Sequence, residues 1–497
     1  MESNNLSKAK KLFEIAVLMI ITVFGIGAQF FSNLVFSLNQ GLIQSAFGIG
    51  SKYIVYPSII GNFVFAMGVP LGHTFTHRFG FKRNYIVFVT IFLIGSLVGL
   101  ISFDIISLTI AKVLQGFSAG VLFFTLLPKL FIKFPVRFRN VFLFMIVIGL
   151  FGANALGGLT GGLSLELDKW HWVFIVNVIS SVLCLLLGSA LFNKKEYTQY
   201  EKIPISLPTI VTLMLSTLFI LIPSLNLINT SWFSIWVWPF ILVAILFIVN
   251  FVLWNKEAKK PLLHFRTIFK KKPIVGATMA ISSHLALLAG IAGINTYILR
   301  ILKLPFINIL WFYIFFLIGL IITGIIKMFL YNSMGAGILG TIGSIALLYV
   351  SAHWILLNNI VNIPLLYLQG LLLGLGASMT LMSGAMATLL DGDLSQAGER
   401  SQVMHTIRNF SAAILVPVIV YSMKNNVQKG TQSLYNEDIS NPLIYMKKLQ
   451  DVAIEADHQI FVMMIVFNLV MLIASVFQMF LGKSRRITPP RNINMSN

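Results

Sequence analysis

Six basic or imidazole side chains fall inside or beside long apolar stretches of this sequence: Lys112, His284, Arg300, His353, His405 and Arg408. A charge in an apolar slab costs a few kcal/mol, so such a residue faces a polar interior or an aqueous path and is a functional candidate by default. Imidazoles change charge near neutral pH and can carry protons; a desolvated amine can do the same. Lys112, His405 and His284 are therefore the proton-coupling candidates, and Arg408, one helical turn beyond His405, strengthens the second of them. Gln29, Ser32, Asn33, Ser37 and Gln40 share one helical face with Phe36. Such a stripe either lines a cavity or bonds to a neighbouring helix. Gln29, Ser32, Asn33, Gln115, Asn154, Asn295, Arg300 and Arg408 make up the candidate substrate cavity. Acidic groups sit elsewhere: Asp104, Glu166, Asp168, Glu257, Asp391, Asp393 and Glu399 fall at the ends of apolar stretches, and none falls near a centre. A cationic substrate would find no buried countercharge, which favours neutral or anionic compounds.

The elements that must position these groups are membrane helices. A bilayer core requires about 20 apolar residues per helix. Fourteen runs qualify: 13–37, 53–73, 84–103, 105–128, 141–163, 172–192, 207–228, 233–254, 274–298, 307–326, 336–354, 363–390, 402–423 and 459–481. The composition, 57% apolar and 10% charged, agrees. The net charge of +20 gathers in alternate connections: Lys8, Lys10 and Lys11, then Arg78, Lys82 and Arg83, then Lys133, Arg137 and Arg139, then Lys194 and Lys195, then Lys256 to Lys272, and finally Lys483, Arg485 and Arg486. That asymmetry orients a membrane protein with both termini in the cytoplasm, so nucleic acid is not implied. The first run is too long for a cleaved signal and lacks a small-residue cleavage site, so a retained helix is expected. Cys184 is the single cysteine, so no disulfide framework or metal cluster is expected. Outside the spans the largest piece is 424–458, an outer loop in which Leu434-Tyr435 and Met446 to Ile454 can form short helix. No soluble catalytic domain and no cofactor are expected.

Several motifs resemble those of the major facilitator superfamily. The stretch from Gly61 to Arg83 ends in a basic turn, His77-Arg78-Phe79-Gly80-Phe81-Lys82, similar to that superfamily's loop between its second and third helices. Lys112-Val-Leu-Gln115-Gly116 resembles its fourth-helix Arg-x-x-Gln-Gly motif. Gly149 to Gly158 resembles the fifth-helix antiporter motif, with Asn154 in place of proline. Trp170 to Val178, Pro261 to Arg266, Leu368-Gln369-Gly370 and Gly398 to Arg408 resemble segments of the fourteen-helix drug/proton antiporter branch, so the resemblance covers nearly the whole chain. His77, Arg78, Gly80, Lys82, Gly149, Gly157 and Gly158 are on this basis the gating candidates; close helix packing is the alternative for the glycines. Acidic positions of the family are occupied here by Ser32, His77 and Asn332, and the fourth-helix arginine by Lys112, which keeps the charge without the planar fork.

The resemblance implies an all-α polytopic protein of two six-helix bundles plus two additional central helices. The expected division is 1–192, a 193–272 insert with two spans, and 273–497. It further implies a proton-coupled exporter of small amphiphilic compounds in the cytoplasmic (inner) membrane, working by alternating access around a midplane site. Partners are then a small-molecule substrate, protons and the lipid bilayer. A periplasmic adaptor is expected only in a Gram-negative cell, and a monomer otherwise. Two alternatives share the fold: an uptake symporter or facilitator, and a non-transporting sensor or platform that lost coupling.

Overall fold

The computed structural model describes residues 2–50, 53–133, 145–146, 148–192, 206–390, 396–437 and 441–482, and among them no strand occurs. In chain order the spans are α1 (Glu2–Phe47), α2 (Tyr56–Phe79), α3 (Phe81–Leu100), α4 (Ile105–Lys133) and α5, a π-helical turn Ile148–Gly152 running into Ala153–Glu166. Next come α6 (Trp172–Leu191), α7 (Leu207–Leu227), α8 (Trp238–Glu257) and α9 (Lys271–Thr296), which ends in a second π-helical turn, Tyr297–Ile301. A 49-residue run, Phe306–Trp354, follows, and Gly335 breaks it with φ 77° and ψ 176°, a conformation that strains any residue with a Cβ. We call the part before this glycine α10 and the part after it α11. The series closes with α12 (Ile363–Leu390), α13 (Ala397–Asn436) and α14 (Pro442–Phe480). Thirteen described helices are long and apolar enough to cross a membrane, and the break at Gly335 makes fourteen spans.

Helices α1–α6 pack among themselves, as do α9–α14; between the two groups, α2 meets α13 and α5 meets α10. Glycines let backbones approach within each group. A Cβ on Gly116 would lie 2.3 Å from the Gly61 carbonyl oxygen, and one on Gly374 would lie 2.2 Å from that of Phe316. The α7–α8 pair is central in sequence and peripheral in space. The α7 helix lies against α2 and α13, whereas α8 leaves Leu242, Ile245, Leu246, Val249 and Leu253 exposed, the surface a bilayer would solvate.

The turns at Gly80 and Gly335 lie at one end of the bundle, here called the basic end. At the opposite end the segment 424–458 is mostly helix, unlike the loop expected from sequence. The α13 helix continues to Asn436, α14 starts at Pro442, and the two extensions pack with Gly430 against Val452 and pair Lys448 with Glu437. The Asn441 side chain caps α14 by accepting the Leu443 N–H at 2.9 Å. This is the hairpin end.

Candidate functional site

The groove between the two six-helix groups is filled at mid-depth by rings and cations. Phe30 of α1, Phe65 of α2 and Phe123 of α4 form a chain of edge-to-face contacts, with centroids 6.1 and 6.3 Å apart. From the other group, the His284 ring of α9 meets Phe30 at 5.9 Å, and the His405 ring of α13 meets Phe123 at 4.9 Å. The Arg408 guanidinium lies between them, 5.9 Å from the Phe30 ring centre and 5.7 Å from that of Phe123. Arg408 is 1% exposed and His405 5%. The two imidazoles and the guanidinium are near enough to interact electrostatically. Arg408 donates to the Asn409 side-chain oxygen at 3.4 Å, while its Nε, the His405 Nδ1 and the Asn409 Nδ2 are buried without hydrogen-bond partners. Among the described residues the ion pairs are His264–Glu399 and Lys448–Glu437, both away from this centre. Chemically the site offers flat aromatic faces, unused donors and positive charge, a combination suited to an aromatic or amphiphilic compound carrying an acceptor or an anion.

Lys112 does not join this cluster. Its ammonium sits inside the first group, donating to the Ser32 carbonyl at 3.1 Å and to the Ser32 hydroxyl at 2.8 Å. The Phe36 ring centre is 4.7 Å away and that of Phe174 5.8 Å. Ser32 in turn donates to Gln115, and Gln115 to Ser96 of α3 at 2.9 Å. Part of the polar stripe of α1 is thus bonded to neighbouring helices, Ser32 to α4, Asn33 to Asn62 of α2 and Gln40 to Arg300 of α9, whereas Ser37 is exposed. The Gln29 side chain lies outside the described residues, as do Asp391 and Asp393.

The remaining candidates separate by location. Asn154 donates to the Leu150 carbonyl of its own helix at 3.1 Å. Asn295 accepts from the Tyr313 hydroxyl at 3.0 Å, and Arg300 reaches across the two groups to Gln40 at 3.4 Å. The α5 glycines divide between two neighbours: Gly149 and Gly157 lie against α1, while a Cβ on Gly158 would meet the Tyr313 ring of α10 at 2.2 Å. At the basic end His77 contacts His73, with ring nitrogens 3.1 Å apart, Arg78 is exposed, and Lys82 donates to the Ser189 carbonyl in the last turn of α6 at 2.9 Å. The same end is closed between the groups by Gln402, which donates to the Pro70 carbonyl at 2.8 Å.

Among the described residues three buried Lys, Arg or Asp side chains are not among the candidates drawn from the sequence. Lys327 of α10 donates to the Met379 carbonyl at 2.8 Å and to the Ser383 hydroxyl at 3.1 Å. Arg400 of α13 binds the last carbonyls of α12, Thr388 at 2.8 Å and Leu389 at 2.6 Å. Asp457 of α14 is fully buried. A signal existed for the last: Ile454, Asp457, Phe461, Met464, Asn468, Met471, Ser475 and Gln478 repeat at alternating steps of three and four, and all are buried. Phe30, Phe65 and Phe123, phenylalanines around His405 and Arg408, carried no signal among 42 in the chain.

No protein-family model matches the chain. It is similar to the uncharacterized MFS-type transporter YubD of Bacillus subtilis (strain 168), with 22% identity over 81% of this chain and 79% of that one. It is also similar to the quinolone resistance protein NorB of Staphylococcus aureus (strain bovine RF122 / ET3-1), 26% identical over 58% of this chain and 60% of that protein. Among solved structures, the crystal structure of an auto-inhibited POT family peptide transporter superposes with a TM-score of 0.56 and 15% identity, covering 96% of this chain and 99% of the other.

Proposed function

Taking the chain as a divergent member of the major facilitator superfamily and a multi-pass membrane transporter, we propose that it exports small amphiphilic compounds, neutral or anionic, across the cytoplasmic membrane in exchange for protons. The observation that carries this reading is the Arg408 guanidinium, without a carboxylate partner among the described residues, set with His284 and His405 among phenylalanines where the two six-helix groups face each other. A lipophilic cation would be repelled there; an aromatic carboxylate would stack on Phe30 and Phe123 and accept from Arg408. The similarity to a quinolone resistance protein supports export as the direction. The imidazoles supply groups whose charge changes with substrate occupancy, so that substrate release and proton binding alternate. Both termini and the basic end then lie in the cytoplasm. Lys112 acts as a clamp between α1 and α4, steadying the first group while the two groups rock.

Everted vesicles energised with an inward-acid gradient test this. Uptake into the lumen is expected for an anionic bile salt and for a zwitterionic quinolone, and not for ethidium. Arg408→Gln should lower transport of the anionic probe by at least about tenfold, the worth of about 1.4 kcal/mol of lost binding. Accumulation of ethidium at the same rate as the anion would sink the charge argument. Accumulation only in right-side-out vesicles would make the protein an uptake symporter, and transport of none of the probes would favour a platform that lost coupling.

A further inference from the structure

At the hairpin end Asp457 stands on the buried stripe of α14, one turn before Phe461, whose ring packs on Gly293 of α9. Asp457 is 0% exposed, and neither carboxyl oxygen has a hydrogen-bond partner. Helices α9, α10–α11, α12 and α13 pack against α14. Among the described residues Asp457 forms no ion pair, and Tyr297, in the π-helical turn that ends α9, is a titratable group that interacts with it electrostatically. The other polar groups nearby are committed elsewhere. The Tyr297 hydroxyl donates to the Asn358 carbonyl at 2.5 Å, His458 contacts the Leu357 carbonyl at 2.8 Å, Arg300 turns to Gln40, and Glu455 is exposed.

A buried carboxylate without a donor or a cation is far costlier than a buried neutral carboxylic acid. The packed arrangement therefore excludes the ion. The setting is also a joint: a π-helical turn, a feature frequent at functional sites, faces the residue where α9 ends. Both helices lead directly to the hairpin end, where water is within a few turns. We propose that Asp457 is a proton-binding site, separate from the His284–His405–Arg408 centre, that takes a proton from solution whenever the hairpin end closes. On closing, the carboxylate gains an O–H bond to a proton drawn from water. On opening, that bond breaks and the proton returns to water, leaving a hydrated carboxylate. Closure of this end is thereby linked to acid on the side the hairpin faces, whatever the central site transports. The inference deepens the transport reading without resting on the assignment of Arg408.

Infrared difference spectroscopy on the full-length protein in lipid nanodiscs at neutral pH tests the proton directly. Wild type should show a protonated-carboxyl band that Asp457→Asn abolishes and Asp457→Glu shifts. No such band, or a band that survives in Asp457→Asn, overturns the proposal. Hydrogen exchange at mildly alkaline pH tests the linkage. Amides of 442–458 should exchange at least about tenfold more slowly in Asp457→Asn, a permanently neutral mimic, than in wild type. Equal or faster exchange in the variant overturns the link to closure. Failure of Arg408→Gln to affect transport would leave both measurements intact, so the two readings fail separately.

Discussion

In the first six-helix group α4 approaches α2 through Gly116 on the Gly61 carbonyl and Gly120 on that of Phe65; in the second, α12 approaches α10 through Gly370 on Phe312 and Gly374 on Phe316. The pairing continues in the same register. Gly68 against Phe117 answers Gly319 against Leu371, and Gly72 against Val121 answers Thr323, whose hydroxyl donates to the Leu375 carbonyl at 3.0 Å. Gln115 therefore answers Gln369, which bonds Trp354 at 2.8 Å and His353 at 2.9 Å. Where the backbones touch, the halves repeat. Where they carry charge, they do not. Lys112 in the first corresponds to buried Leu366 in the second. Lys327 in the second corresponds to Thr76 in the first, where Thr76, Thr125 and Asn84 form a neutral network with contacts of 2.8 to 3.2 Å. Among the described residues each half thus buries one ammonium at the register where the other has none. Backbone approach is set by packing, which both halves share; each buried ammonium belongs to one half and has no counterpart in the other.

The largest effect is expected at the shared contacts. Gly116→Val and Gly374→Val each push a side chain into a carbonyl 2.2–2.3 Å from the glycine's Cβ position. Backbone cannot yield as a flexible side chain does, so the cost exceeds the usual 1–3 kcal/mol (roughly) of overpacking. Both variants should fail to give a monodisperse peak in fluorescence-detected size exclusion. Tolerance of one and not the other would break the equivalence of the halves.

Exchanging the unequal positions sharpens the comparison. Lys327→Thr installs the first half's residue in the second and leaves a cavity beside Met379 and Ser383. A loss of about 2–4 kcal/mol in stability is expected, read by thermal unfolding, with transport per folded molecule unchanged. Lys112→Leu makes the reverse exchange. It removes a desolvated charge along with its bonds to Ser32, and apolar replacement of buried charge is close to neutral, so the stability change should stay below about 1.5 kcal/mol. Transport should nevertheless fall at least about tenfold, because α1 keeps only the Ser32–Gln115 bond to α4 and loses both bonds from the ammonium. Full transport by Lys112→Leu would reduce the clamp to packing.

The same contrast explains what was legible in the sequence. Apolar runs and alternate basic connections mark the fourteen spans, because the bilayer imposes length and charge rules on sequence directly. Gly80 and Lys112 are visible as departures from an apolar background. The grouping of His284, His405 and Arg408 with Phe30 and Phe123 is not, since it depends on how four helices from two groups meet, and nothing in one helix's periodicity encodes its partner. Lys112 shows the limit: its burial was readable, but its partner Ser32 lay on a stripe that read equally well as cavity lining. Hydropathy puts Asp457 in the 424–458 loop because the apolar run begins after it, although the helix begins at Pro442. Helix boundaries beyond the membrane follow from hairpin packing, which hydropathy does not record.

The smallest expected effect compares the two helix starts. At α4 the Asp104 carboxylate accepts the Ser107 N–H at 2.7 Å; at the equivalent start of α12 the Asn362 side chain accepts the Leu365 N–H at 3.2 Å. The backbone hydrogen bond from Ser107, helped by its hydroxyl, holds the Asp104 carboxyl below its ordinary range, whereas Asn362 does not titrate. A carboxylate favoured in the folded state contributes stability that is present above its unfolded pKa and disappears as pH falls through the lower folded value. Acid should therefore loosen the start of α4 and leave that of α12 untouched. Hydrogen exchange corrected for intrinsic rates checks this: protection of amides 106–108 should fall at acidic pH relative to 364–366. Asp104→Asn should make the two starts respond alike. If both lose protection together in the wild type, the acid response belongs to the whole bundle and the two caps are equivalent despite their chemistry.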